Sequence, residues 1–406
     1  MNKKEVRKAP VLRFKGFTDD WEQRKLSDET NRIRSYSISH GFEVAEDTGT
    51  KYIHYGDIHT GKVKNINNIN VLPNIEDNNY KPLKYGDVIV ADASEDYKGI
   101  ADACIVNTIS NSYKIVAGLH TIAFRPKSKL CSKFLYFYLS TDIFKHFGYK
   151  TGTGLKVFGI SYKELAKFKL KEPSATEQKK IVKLLFLIEK AIHLQQRKLR
   201  LLKLLKKATQ QNIFASTECL PKLKYRNLTG KWQLYRLKDV AKITMGQSPN
   251  SKNYTQNPID HILVQGNADI RNGYVFPRIW TTEITKIANR GDIILCVRAP
   301  AGDVGRTKFN VVIGRGVAAI KGNDFIFQQL QFMKSSGYWK KYISGSTFES
   351  INSNDIKNAK IFCPSQLEQK NISSLLDDID TSIQIQQKNI LDFKYIKQFL
   401  LQNMFI

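Results

Sequence analysis

The chain repeats itself, and the repeat limits what it can fold into. Pro10, Leu12, Arg13, Phe14, Thr18, Trp21, Leu26 and Asp28 recur as Pro221, Leu223, Lys224, Tyr225, Thr229, Trp232, Leu237 and Asp239, at a constant offset of 211 (232 minus 21). A second landmark closes each copy. Pro173-Ser174 and Glu177-Gln178-Lys179 recur as Pro364-Ser365 and Glu368-Gln369-Lys370, and Gln211-Asn212-Ile213-Phe214 recurs as Gln402-Asn403-Met404-Phe405, now at an offset of 191 (364 minus 173). The second copy is therefore 20 residues shorter between its landmarks (211 minus 191). Long-period self-similarity sets the architecture before any single residue is interpreted. It predicts two similar halves on one frame with diverged interiors, the arrangement a two-armed reader of two different targets requires.

At 406 residues the chain is long enough for two or three domains, each with its own core, and the repeat resolves this to two halves. Lys and Arg number 64 against 37 acidic residues, a formal net charge of +27. Such an excess produces a positive field that favours a polyanion, and with the two-armed frame it points to nucleic acid. The five cysteines (Cys104, Cys131, Cys219, Cys296, Cys363) are scattered without a C-x-x-C pair, so neither a disulfide framework nor a zinc site is expected. The start, Met1-Asn2-Lys3-Lys4-Glu5, has no apolar run, and no stretch is long enough to cross a bilayer; a soluble cytoplasmic chain is the expectation.

After Pro173 and again after Pro364 the texture changes. Ile181, Leu185, Ile188, Ile192, Gln195, Leu199, Leu202 and Lys206 alternate at spacings of four and three, and Ile372, Leu376, Ile379, Ile383, Gln386, Ile390, Phe393 and Lys397 repeat the register. Each pattern predicts a helix of about 40 residues, or about 60 Å. Ser174 and Ser365, three residues before a Glu, are capping-box candidates. Two helices with matching stripes bury them against each other, and a pseudo-twofold relation between the copies would run them antiparallel with Gln195 facing Gln386. Ile188, Ile192, Gln195, Leu199, Ile379, Ile383, Gln386 and Ile390 are the expected seam. The outer face of the first helix is basic, from Lys179 to Lys207, whereas the second mixes signs.

The segments before each helix carry short apolar runs that read as strands: Val88-Ile89-Val90, Ile105-Val106, Thr121–Phe124, Ile293-Ile294-Leu295 and Val317–Ile320. Turn signals separate them at Tyr85-Gly86-Asp87, Asn272-Gly273 and Arg290-Gly291-Asp292, and one helical patch follows in each half, near Lys133–Phe147 and Phe325–Ile343. The expected class is α+β: two similar mixed domains, 1–172 and 216–363, separated by two long antiparallel helices, 173–215 and 364–406, that form a coiled coil.

The repeated P-x-L-[RK]-[FY] opening with its following Trp, the Pro-Ser-x-x-Glu-Gln-Lys helix starts and the two-fold arrangement resemble the specificity subunit of Type I restriction-modification systems, over almost the whole chain. The resemblance implies two target-recognition domains spaced by antiparallel helices, and a bipartite double-stranded DNA target with an unspecified gap. It also implies docking of two methyltransferase subunits and, through them, of restriction and translocase subunits. No cofactor is implied for this chain; S-adenosylmethionine, ATP and Mg are implied for the partners.

Three repeated loops are candidates for DNA contact, because Arg, Lys, Asn and Gln read base edges while hydroxyls and backbone N–H groups reach phosphate. The first holds Arg32, Arg34 and Tyr36 in one half and Gln247, Ser248 and Lys252 in the other. The second, Asp57 to Val63 and Asp269 to Val275, offers Lys62 and Arg271, with the Asp and Gly building the turn. The third offers Lys150, Thr151, Thr153 and Lys156, matched by Ser346 and Thr347. Arg298, Arg306 and Arg315 lie in a further Gly-rich stretch, with Lys98 loosely corresponding. For any single residue a plain surface turn is an equal reading.

Enzyme motifs are missing. There is no Pro-Pro pair for an amino-methyltransferase, no Gly-x-x-x-x-Gly-Lys-Ser/Thr for a translocase, and no ligand spacing among the seven histidines. Asp92, Glu95 and Asp96 cluster without a matching partner set. The expectation is a non-catalytic DNA-recognition subunit. The alternatives are a stand-alone DNA-modifying enzyme, which would act on DNA without partners, and a nucleic-acid-binding scaffold, which would prefer RNA.

Overall fold

The computed structural model describes residues 9–95, 100–154, 158–214, 221–223, 230–342 and 350–406. Two long helices are present, Ala175–Phe214 and Gln366–Asn403, where the heptad-like spacing places them. The chain divides into two compact units, one made of residues up to Leu194 together with Ile390–Ile406, the other of Gln195–Asn389. Each unit thus takes its last helical segment from the far end of the opposite sequence repeat.

That exchange explains the repeated landmarks. In the first unit Phe405 packs edge-on to Trp21 at 6.4 Å between ring centroids, and both rings contact Phe134. In the second, Phe214 and Trp232 both meet Phe325, at 5.6 and 5.8 Å. The opening Trp of one repeat and the closing Phe of the other are therefore one core, and the aromatic pairs add to what their burial contributes.

The Glu-Gln pair at each helix start holds three segments together. Both Glu177 oxygens accept from the Arg13 guanidinium at 2.7 and 2.8 Å. Gln178 Oε1 accepts from the Cys131 N–H at 2.8 Å, and Gln178 Nε2 donates to the Pro173 and Lys129 carbonyls. In the second unit Trp232 Nε1 donates to Glu368, and Asn323 donates to Gln369. Cys131 and Asn323 are the N-caps of the short helices Ser132–Tyr138 and Asp324–Ser335. The predicted capping boxes are half formed. Ser174 and Ser365 accept from the N–H groups of Glu177 and Glu368, but the carboxylates of those glutamates reach out to the opening segment of their unit.

The helical seam is present in both units. Within the second, Gln386 Nε2 donates to the Gln195 carbonyl at 3.2 Å and also meets its side-chain oxygen, while Lys206 binds both Asp380 oxygens at 2.7 Å. Position rises from 195 to 206 as its partner falls from 386 to 380, so the helices run antiparallel. In the first unit Lys397 pairs with Glu189 at 2.6 Å, the same lysine-to-acid pair at the repeat offset of 191 (397 minus 206, 380 minus 189). Ile192, Ile379, Gln386 and Ile390 are buried, and Ile188, Gln195, Leu199 and Ile383 are half-buried. The lysines that the spacing set on the seam are thus ion-paired, and the rest of the basic face of the first helix is exposed.

Each unit pairs two mixed sheets. In the first, a five-stranded sheet orders Thr30–Ile33, Thr121–Pro126, Val88–Ala91, Ala103–Val106 and Asn65–Ile66, beside a four-stranded sheet with Lys114–Ala117, Thr50–Ile53, Asn74–Ile75 and Glu43–Val44. In the second, a six-stranded sheet contains Lys242–Met245, Val317–Lys321, Ile293–Cys296 and Val304–Arg306, beside a five-stranded one that contains Tyr254–Thr255, Ile279–Thr281, His261–Val264 and Val311–Ile313. The apolar runs lack alternation because both faces are covered. Val88 and Val90 face the helical core, whereas Ile89 and Ala91 face the core shared with the smaller sheet. Ile293 and Leu295 divide from Ile294 and Cys296 in the same way. The helical patch near Lys133–Phe147 is two helices, Ser132–Tyr138 and Asp142–Thr151, broken where the Thr141 hydroxyl caps the second by accepting from Phe144 N–H. The other patch is interrupted at Gly337, whose φ of +76° no helix continues.

Two stability predictions follow from buried carboxylates. Removing Arg13 leaves Glu177, 1% exposed, as an unpaired charge, so Arg13→Ala is expected to cost about 3–5 kcal/mol. The double variant Arg13→Ala/Glu177→Gln should recover most of it, as read from denaturant unfolding of the full chain. Glu172 is buried, its Oε2 has no hydrogen-bond partner, and burial with Glu29 and Glu22 nearby raises its pKa to about 7. A raised folded pKa means stability that is full below the unfolded value and lost as pH rises through about 7. Glu172→Gln should therefore raise the melting temperature by a few degrees at about pH 8, with the gap closing toward about pH 5.

Candidate nucleic-acid interface

Four chain segments meet at one end of the paired sheets in each unit, joined by the same backbone hydrogen bonds. In the first unit Tyr36 N donates to Ala117, Gly118 N to Ile53, and Asp92 N to His120, at 2.9, 2.9 and 3.0 Å. In the second, Gln247 N donates to Ile313, Gly314 N to Val264, and Val297 N to Gly316, at 2.8, 2.8 and 2.9 Å. A fifth segment joins each junction. Ile160 N donates to Asp92 in the first unit, and Ile351 N donates to Val297 in the second. The glycines here allow close approach: a Cβ on Gly316 would fall 1.9 Å from the Gln265 carbonyl oxygen, and one on Gly118 2.8 Å from that of Ile53.

On this shared backbone the side chains differ. In the first unit Arg32 and Arg34 are exposed, with their guanidinium groups over Tyr162 and Tyr36 at 4.5 and 5.2 Å. The Tyr36 hydroxyl accepts from the Lys81 N–H. A row of rings continues from His40 to His54, Tyr55 and His120, with centroids 4.0, 4.5 and 5.2 Å apart. Burial, and then the neighbouring His40, lower the His54 pKa, and His54 Nδ1 accepts from Gly56 N–H. Burial raises the Asp92 pKa against the opposing pull of His120. In the second unit Gln247, Arg298 and Arg315 are exposed, and the Ser248 hydroxyl accepts from Arg315 N–H. Lys252 is exposed on the turn after Asn250, which is tied to Glu283.

The sequence-derived candidates divide accordingly. Arg32, Arg34, Tyr36, Gln247, Ser248, Arg298 and Arg315 come together at the junctions, as does Thr153, whose backbone pairs with Gly159. Lys150 and Thr151 are the last residues of the helix Asp142–Thr151 and not a loop, and the Thr151 hydroxyl donates to the Phe147 carbonyl. Arg271 and Arg306 lie elsewhere. Asn272-Gly273, both with positive φ, form a tight hairpin turn after Arg271, and the Arg306 N–H donates to Gly273. Arg306 pairs with Asp324 at 2.6 Å and lines, with Lys203, Lys207 and Asp377, a cavity of about 560 Å³ beside the long helices. Arg271 stacks on Phe276, and Lys62 pairs with Asp57 at 3.0 Å. Asp269 builds its turn as expected, accepting from the Gln265 and Gly266 N–H groups. Lys98, Lys156, Ser346 and Thr347 lie outside the described residues.

His54, Tyr55, Asp92, His120, Tyr162 and Gln265 are the residues that sequence reasoning missed at the junctions. They are dispersed along the chain, and only sheet topology unites them. Among the described residues no group of three or more His, Cys, Asp and Glu is placed to hold a metal, and no helix is long and apolar enough to cross a membrane.

Two units with one backbone frame and two different loop-end chemistries, each packed on a long helix pair, define a protein of paired recognition domains. The chain belongs to the type I restriction modification DNA specificity domain family, whose profile matches residues 18–204 and 229–392. It is 28% identical over 292 residues to a Methanocaldococcus jannaschii protein described as the specificity subunit of type I restriction enzyme MjaX, covering 68% of this chain and 67% of that one. A second protein of that organism, the type I restriction enzyme MjaIX specificity subunit, is 26% identical over 189 residues, 43% of this chain and 44% of the relative. The type I S subunit from M. genitalium shares the fold at 13% identity with a TM-score of 0.64, covering 98% of this chain and 99% of that one. A chain from the type I R-M system, in a structure concerned with complex assembly and conformational transition, does so at 21% identity and 0.59, covering 94% and 96%. Specificity subunits are the non-catalytic members of their systems, and this chain is one of them.

Proposed function

We propose that the chain reads a bipartite double-stranded DNA target, one half-site per unit, through the loop junctions at the sheet ends. The observation that carries this reading is the junction itself: identical backbone hydrogen bonds in both units, carrying Arg34, Tyr36, His54 and His120 in one and Gln247, Gln265, Arg298 and Arg315 in the other. A frame that is kept while its side chains change suits two reading heads with different half-sites. The net charge of +27 supplies the general attraction to the duplex.

The long helices carry the second part of the proposal, docking of two methyltransferase subunits and, through them, of restriction and translocase subunits. Large apolar side chains stand exposed on them: Leu187, Leu194, Tyr395 and Phe399 in the first unit, and Leu201, Leu204, Leu205 and Ile385 in the second, each 52–60% accessible. Apolar side chains exposed in numbers beside lysines fit a protein partner. In this scheme S-adenosylmethionine, ATP and Mg belong to the partners, this chain binds no cofactor, and the assembly works in the cytoplasm.

Methylation sequencing of cells co-expressing the chain with a compatible methyltransferase should give one bipartite motif; a contiguous motif, or none, would refute the reading. Replacing residues 22–172 by the corresponding segment of another specificity subunit should change one half of that motif only. Arg315→Ala should weaken duplex binding about tenfold and lower the salt dependence by about one charge if it meets phosphate, or relax one motif position if it meets a base.

A further inference from the structure

We propose that His120 is a specificity-determining residue of the first unit, whose Nε2 accepts from the exocyclic amine of an adenine or cytosine in the major groove. The inference rests on the DNA-reading function proposed above and adds a residue and a base chemistry to it.

Asp92 sets the tautomer. His120 Nδ1 lies 3.2 Å from Asp92 Oδ1, and the Asp92 N–H donates to the His120 carbonyl at 3.0 Å, so the two residues are tied through side chain and backbone. A carboxylate only accepts, so the proton of the neutral ring sits on Nδ1 and Nε2 keeps its lone pair. Tyr55 meets the imidazole edge-on, with centroids 5.2 Å apart and planes at 83°, which limits its rotation. The His120 side chain is 47% exposed and Asp92 27%, an open acceptor on a more sheltered support. His120 also has a φ of +54°, a left-handed conformation that non-glycine residues rarely adopt. The junction hydrogen bonds hold it there.

In the major groove the bases offer hydrogen-bond donors only at adenine N6 and cytosine N4, so a fixed acceptor selects those. The groups against the ring are Asp92 and Tyr55. The second unit presents Gln247, Arg298 and Arg315 at its junction, and Gly316 stands where the first unit has His120. Selection by this acceptor is therefore confined to one half-site.

The test uses the full chain assembled with its methyltransferase. With the wild-type motif in hand from methylation sequencing, His120→Ala should relax one position, an adenine or cytosine in one half, by about tenfold, leaving the other half intact. His120→Asn, which tolerates the left-handed backbone and keeps a side-chain acceptor, should retain part of the preference and shows that the fold survives. The ratio of cognate to position-swapped duplex binding should fall about tenfold from the wild type to His120→Ala. An unchanged motif in both variants, a change in both halves, or an unchanged binding ratio in His120→Ala would overturn the assignment while leaving the bipartite reading intact. Absence of any bipartite motif from the wild type would instead refute the reading beneath it.

Discussion

The burial of Glu177 is the constraint on which much of the first unit depends. A carboxylate with 1% exposure is tolerated only with a charged partner in good geometry, and Arg13 supplies one with two short hydrogen bonds. Its neighbour Gln178 fastens the start of the Ser132–Tyr138 helix. One dipeptide thus brings together the opening segment, the long helix and the short helix that covers the sheet. Glu368 and Gln369 do the same in the second unit with different partners, Trp232 and Asn323. The repeated Glu-Gln is therefore a structural clasp, which explains why it stands far from the loops that differ.

With the frame clasped at the helix end, the opposite economy holds at the sheet ends. There the backbone is held by hydrogen bonds between strand termini, which no side chain supplies. Side chains at the positions without a close backbone approach can change without disturbing the fold, and they have: Tyr36 stands where the second unit has Gln247. Such positions can vary between the two units at little cost in stability, because the cores that carry the folding free energy lie on the sheet faces.

Much of the scaffold could be read from spacing. The seam of the long helices, its glutamine layer, the strands at Val88–Val90 and Ile293–Leu295 and the Asn272-Gly273 turn all stand where local pattern puts them. Patterns of this kind are set by neighbours in sequence: a helix repeats every three or four residues, and a tight turn needs two residues with positive φ. The candidate interface was legible only in part. Arg34 and Arg315 could be picked as polar residues after framework elements, but Arg271 and Arg306 satisfied the same criterion and lie beside other elements, stacked on Phe276 or paired with Asp324. Charge and loop context do not say which end of a strand a residue occupies.

The sequence by itself determined that there are two copies of one frame, that two long helices pair through Gln195 and Gln386, and that the chain is strongly basic, because these are properties of periodicity and composition. Only the tertiary structure decided that Trp21 shares its core with Phe405 and Trp232 with Phe214, and that Asp92 and His120 sit side by side. Those are contacts between residues far apart in the chain. They are settled by which sheet faces and helix ends must be buried together, and that is a property of the whole fold that no local pattern records.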